Sequence, residues 1–310
     1  MDLALIAAKQ VLEMFLMILA GFVCYKTGVI KQEGKKALSD ILLYLVVPAM
    51  IINSYLVDND SSMMKSLVQS FGYSCLLIIT GLVITFAVLF SKKNRDRGIM
   101  RFACVFSNAA YMGFPLIQAM FGSEGILYAS AYLTVYNILL WTVGYVTVTG
   151  KVHAKEIFKS IVTSPCIISV CIGLIIYLCR IPVPDILSTP LSMIGGMNTP
   201  ASMIITGVTI AGSSLGQLLK NKKLFEVIAL RMLVIPAVCA LVMRLLGAQG
   251  TTAMVALILE ACPCAAITTM FAIKFNHDED LAAGSVVFTT LLSIVTLPVY
   301  ALLLTNIIPV

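Results

Sequence analysis

Apolar residues run in blocks of roughly 20–30 positions, and polar residues collect in the short gaps between them. Ten blocks are read, at about 4–26, 36–57, 67–91, 98–121, 125–149, 157–179, 185–213, 224–246, 251–274 and 280–306. Each is long enough to cross a hydrocarbon core of about 30 Å as a helix. The pattern therefore predicts an all-α polytopic membrane protein with ten transmembrane helices. Two blocks are irregular at mid-depth. The fourth carries Ser107-Asn108-Ala109-Ala110-Tyr111-Met112-Gly113-Phe114-Pro115, which puts an amide, a glycine and a proline where lipid favours unbroken helix. The ninth carries Cys262-Pro263-Cys264. Backbone freed inside a membrane must find partners in other helices, water or a ligand. Interrupted helices at the midplane are one way to build a transport site.

Composition sharpens this reading. Of 310 residues, 60% are hydrophobic and 12% charged, with a mean hydropathy of +1.00. Soluble domains carry about 25% charged residues, so little is left from which to build one. The first block lacks the basic leader of a cleavable signal, since Asp2 comes first and Lys9 late. Net charge is +6, and 16 of the 21 Lys and Arg fall in alternate gaps: around Lys26–Lys36, Lys92–Arg101, Lys151–Lys159, Lys220–Lys223 and Lys274. Placing those gaps in the cytoplasm puts the N- and C-termini outside, in a cytoplasmic membrane. The cations thus read as topology signals rather than a nucleic-acid surface. Nine cysteines lie mostly within apolar blocks and suggest no disulfide framework. Cys262 and Cys264 have no His or Cys cluster to complete a metal site, and none is expected. His153 and His277 both fall in gaps.

The halves resemble each other. Pro48-Ala49 with Ile52, and Gly21 with Tyr25, recur 152 positions later as Pro200-Ala201 with Ile204, and Gly173 with Tyr177. Ala109, Phe121, Leu127 and Ala129 recur 154 positions later as Pro263, Phe275, Leu281 and Ala283. Five spans per half invert the second half relative to the first. Residues 1–150 and 151–310 are accordingly expected to be two inverted five-helix repeats, the ground plan of many secondary transporters.

The string from Asn108 to Leu116 resembles the fourth-helix motif of the auxin efflux carrier family, which includes plant PIN carriers and bacterial carriers described as malonate or malate transporters. Ala110 stands where the motif has its first glycine. Pro200-Ala201, the run from Pro263 to Phe275, and Leu291-Leu292-Ser293 with Thr296-Leu297-Pro298 are also similar to that family, so the likeness spans the chain. It implies crossed, broken helices 4 and 9, a scaffold of helices 1, 2, 6 and 7, and a moving domain of helices 3–5 and 8–10. It further implies an elevator-type carrier with substrate beside the crossing. Plant members have an acidic residue in the third helix; here Gln69 is the nearest polar candidate, so the resemblance extends neither to auxin as substrate nor to a particular coupling ion.

Half-helix N-termini carry partial positive charge and free N–H groups, which suit a carboxylate without a buried cation. The expected substrate is a small mono- or dicarboxylate such as malonate or malate. Its site is assigned to Asn108, Ala109, Gly113, Pro115, Cys262, Pro263 and Cys264, with Pro48, Asn53 and Pro200 contributing from the scaffold. Tyr111, Tyr128, Tyr132, Asn137 and Trp141 are further candidates for its walls. Glu260 lies about 15 Å deep, where a carboxyl is costly unless protonated or paired. It is read as a proton-coupling site, with a structural pair to Arg231 as the rival. Glu13 is assigned to the scaffold surface, and Asn276 with Glu279 to a capping box opening the last helix, beside Asp278 and Asp280. No cofactor is expected beyond a coupling H+ or Na+, and a homodimer through the scaffold fits the plan. An intramembrane enzyme lacks a nucleophile or metal cluster here. A sodium-coupled bile-acid-type symporter, or a channel or receptor on the same fold, is the alternative.

Overall fold

In the lipid interior, backbone N–H and C=O groups must bond within the chain, so apolar blocks of this length become helices. The computed structural model describes residues 3–57, 61–90, 96–212 and 221–308; Lys92, Lys93, Arg95 and Lys220, used above for topology, lie outside them. Among the described residues the structure is helical without named strands. In chain order the helices are α1 (Leu3–Lys26), α2 (Glu33–Ser54), α3 (Ser61–Val88), α4 (Arg97–Val105), α5 (Ala109–Thr149), α6 (Ala154–Val162) and α7 (Pro165–Leu178). There follow α8 (Asp185–Gly196), α9 (Asn198–Ala211), α10 (Lys222–Leu245), α11 (Gly250–Ala261), α12 (Ile267–Lys274) and α13 (Glu279–Ile307).

Six of these helices are long and apolar enough to cross a membrane, or seven if α6 and α7, bent by 50°, form one span. α5 has 41 residues, about 60 Å of helix and twice a bilayer core. It is not one rod: Gly122 sits at φ +62°, outside the helical region, and divides an arm of 109–121 from one of 123–149. α4 and α11 are each too short to span and stop at the two irregular sequences.

Three prolines sit behind single widened, π-type turns: residues 42–46 before Pro48, 109–113 before Pro115 and 230–234 before Pro236. A proline ring clashes with the carbonyl four residues back, and the middle of each widened turn, at 44, 111 and 232, is that carbonyl. Gly113 and Pro115 therefore lie inside continuous helix, not in the break expected around them. Pro200 falls in the first turn of α9, just after the join with α8 at Met197.

Packing places α9 and α13 against α1, α5 and α11 against α3, and α7 and α8 against the end of α2. Many apolar side chains of α1, α3 and α7 point outward, including Leu12, Leu16, Val68, Val83 and Leu178. Such a surface suits lipid as its solvent. Glu13 is half-exposed and pairs with Lys9 one turn away at 3.8 Å. The capping of α13 differs from the expected box. Asp278 is the cap, accepting from the Leu281 N–H at 2.9 Å. Asn276 instead takes a left-handed backbone, φ +54°, at the end of α12, because Asp278 is the residue with extended geometry beside the first free N–H groups.

Candidate functional site

Both breaks consist of extended backbone. Pro263 pushes the residue before it out of the helical region, and Cys262 takes ψ 154°, ending α11 at Ala261. Phe106, at ψ 116°, ends α4, and Asn108 is non-helical before α5 restarts. The two stretches run antiparallel and complete each other. Asn108 N–H donates to Pro263 O at 2.8 Å, and Ala265 N–H donates to Phe106 O at 2.9 Å, pairing Ser107 with Cys264. The Cys264 N–H reaches Thr289 Oγ1 of α13 at 3.0 Å. Each break thus supplies the hydrogen-bond partners that lipid cannot.

A narrow cavity of about 10 Å³ lies beside this pairing. Asn108 and Tyr111 line it from α5 and its approach, Ala266 from the start of α12, Thr206 and Thr209 from α9, and Thr290 from α13. Ile205, Ile210, Val286 and Val287 complete the wall, so no charged side chain lines it among the described residues. The Asn108 amide is 6% exposed and makes no side-chain hydrogen bond among the described residues. The Thr290 hydroxyl is buried and unpartnered. Two half-helices begin at this wall, where first-turn N–H groups lack the acceptor a longer helix would give them, although Thr268 N–H bonds back to Ala265 O at 3.0 Å.

Behind the pairing lies a second, fully enclosed cluster. Arg231 of α10 is 0% exposed. Its guanidinium donates to Cys104 O and Val105 O at 3.0 Å, to Cys262 O at 2.9 Å and to Glu260 O. It also pairs with Glu260 Oε1 at 3.2 Å, while Tyr132 O–H donates to Glu260 Oε2 at 2.6 Å. Ser107 Oγ sits 3.3 Å from the Tyr132 hydroxyl and joins the cluster to the break.

Of the residues assigned to the site from sequence, Asn108 lines this cavity, as does Tyr111 among the candidates for its walls. Ala109 and Pro115 are buried without lining it, and Pro263 serves through its carbonyl. Cys262 and Cys264 are fully buried, the former with its thiol toward Ile258 O at 3.4 Å. Gly113 packs against Leu259 of α11 and Cys262 just beyond it, where a side chain would meet the Leu259 side chain. Asn53 lines a different, open groove of about 360 Å³ with Ser123, Ser188 and Ser192. Gln69 bonds to Tyr73 and Thr252, away from the crossing. Trp141 lies against Phe271 with the rings tilted by 47°, and Asn137 donates to Leu133 O. Thr206, Thr209, Ala266 and Thr290 were not singled out from sequence. The only linear signal was hydroxyls recurring within apolar blocks, and that spacing is common on lipid-embedded helices.

The profile of a family described as "Membrane transport protein" matches residues 6–162 and 151–301. The chain belongs to this family. It is the auxin efflux carrier family to which the fourth-helix motif pointed. Two proteins are similar over nearly the whole chain. An uncharacterized transporter of Methanothermobacter thermautotrophicus is 26% identical over 305 residues, covering 96% of this chain and 98% of the relative. Another, from Methanocaldococcus jannaschii, is 23% identical over 314 residues, covering 97% and 100%. The protein is accordingly an integral membrane protein of a transporter family, and the paired breaks lie in the stretches that carry the family motif.

Proposed function

We propose that the protein is a secondary carrier of a small organic anion, a mono- or dicarboxylate of the size of malonate or malate. One observation carries this reading: the paired breaks open on an uncharged cavity in which Asn108 and Thr290 offer unpartnered hydrogen-bonding groups beside two half-helix N-termini. Such a wall stabilises a carboxylate through fixed dipoles and N–H donors. A bare cation finds no carboxylate there.

Ten crossings in two inverted five-helix halves account for the helices. α4 with the first arm of α5, and α11 with α12, each make one broken span. The first, second, sixth and seventh spans form the scaffold, and the rest move. The cavity fits this division because it lies between α9, on the scaffold side, and α5, α12 and α13 on the moving side. N- and C-termini lie outside a cytoplasmic membrane, and the outward apolar faces of the scaffold leave room for a homodimer. Both oxygens of Glu260 are engaged, by Arg231 and by Tyr132, which favours the ion pair over proton coupling for that residue. Uptake by Glu260→Gln across pH decides between them: an unaltered pH profile is expected, and a flattened one restores the coupling role.

The main test is uptake of labelled mono- and dicarboxylates into proteoliposomes under imposed proton or sodium gradients. Saturable uptake with counterflow is expected. Non-saturating flux would make the protein a channel, and uptake of none of these anions would sink the substrate class.

A further inference from the structure

Two broken helices that pair at their breaks bring four helix ends together, two with partial positive and two with partial negative charge. Were all four equally open to the cavity, their potentials would oppose each other. The structure separates them. α4 ends at Val105 and α11 at Ala261, and carbonyls from both ends converge on the buried guanidinium of Arg231. The same group meets the Glu260 carboxylate, whose other oxygen is held by Tyr132. The positive ends, at Asn108–Ala109 and Ala266–Ile267, stand at the cavity wall instead.

We propose that Arg231 is a specificity-determining positioning residue: by capping the negative ends of both half-helices it holds the crossing closed and leaves the positive ends unopposed at the cavity. Arg231 does not line the cavity and touches no substrate; it sets the potential that substrate meets. The proposal rests on the anion-carrier reading and adds the residue on which its charge selectivity depends. Lysine cannot replace it, because three donors on a point charge do not span carbonyls from two chain segments as five donors on a planar fork do.

Labelled malonate uptake is compared in wild type, Arg231→Lys and Arg231→Met/Glu260→Gln, the double variant avoiding an orphaned buried carboxylate. The double variant is expected to raise KM for malonate at least tenfold, by more than the maximal rate falls, with Arg231→Lys intermediate. A fall in maximal rate at unchanged KM overturns the proposal, since fewer folded carriers would give that result. A second measurement needs no substrate. Cys104 and Cys262 are fully buried at the capped ends. Their modification by N-ethylmaleimide, followed by mass spectrometry, is expected to be at least tenfold faster in Arg231→Met/Glu260→Gln than in wild type. Equal rates overturn the proposal. If wild type carries no malonate, the substrate class fails while this second arm still judges Arg231.

Discussion

Arg231 and Glu260 are the residues whose loss the fold tolerates least. A buried pair contributes little over a well-packed apolar substitute, but removing one partner strands the other in a medium that cannot solvate it. Arg231→Met should therefore lower stability by about 3–5 kcal/mol, read from denaturation in mixed micelles. Glu260→Gln should cost less, because Gln keeps a hydrogen bond to Tyr132 and leaves Arg231 its four carbonyls. Asn108 is the residue expected to meet substrate. A hydrogen bond to a charged group contributes about 1.5–3 kcal/mol, so Asn108→Ala should lower carboxylate affinity roughly tenfold to a hundredfold. Asn108→Asp, which sets a negative charge in the wall, should abolish uptake while leaving the circular dichroism spectrum unchanged. Asn108 and Glu260 were legible in the sequence as polar residues at mid-depth, and Arg231 as a charge in an apolar block. That one guanidinium serves carbonyls of residues 104, 105, 260 and 262 was not legible, because those positions approach only when both breaks pair.

At the scale of elements, the prolines create carbonyls that other helices use. Pro115 frees Tyr111 O, and Ser202 Oγ of α9 donates to it at 3.0 Å, with Asn198 Nδ2 donating to Ala110 O at 3.4 Å. Pro236 frees Met232 O, to which Tyr300 O–H donates at 2.9 Å. The first pair ties the proposed scaffold to the proposed moving domain between the cavity and the groove at Asn53 and Ser188. Breaking one such bond is worth about 1 kcal/mol, a factor of about five in a two-state equilibrium. Ser202→Ala should thus change maleimide labelling of a cysteine placed at Thr290 by about fivefold. Close approach matters equally at Gly113, which faces Leu259 and Cys262. Gly113→Val should destabilise by about 1–3 kcal/mol through overpacking, seen as a lower melting temperature in detergent. Sequence placed these prolines within helical blocks, but read Pro115 as part of the break. The break lies several residues earlier, at 106–108, because backbone pairing with Pro263 and Ala265 holds the extended form there.

For the whole molecule, orientation follows from where the cations lie. Lys223 with Asp96 at 2.6 Å, and Arg97 with Glu226 at 3.3 Å, join the starts of α4 and α10, which brings two of the basic gaps to one end of the bundle. These pairs are partly exposed, so they register the helices more than they stabilise them. Cysteines introduced at Asp185 and at Lys155 test the proposed topology in intact cells. An impermeant maleimide should label the first and not the second; the reverse pattern would invert the molecule.

The number and extent of the apolar blocks, the bias of the cations and the motif around Asn108 are properties of the linear chain, and they sufficed for a helical membrane protein of a transporter family. Those features work residue by residue against lipid and water, so no knowledge of neighbours is required. Which carbonyls are left free, which cations reach them and where a cavity remains depend on residues more than a hundred positions apart. At the pairing of Ser107 with Cys264, α9 and α13 bring threonines to the cavity wall and α10 brings the buried arginine to the helix ends, and none of these neighbours can be read from the linear order.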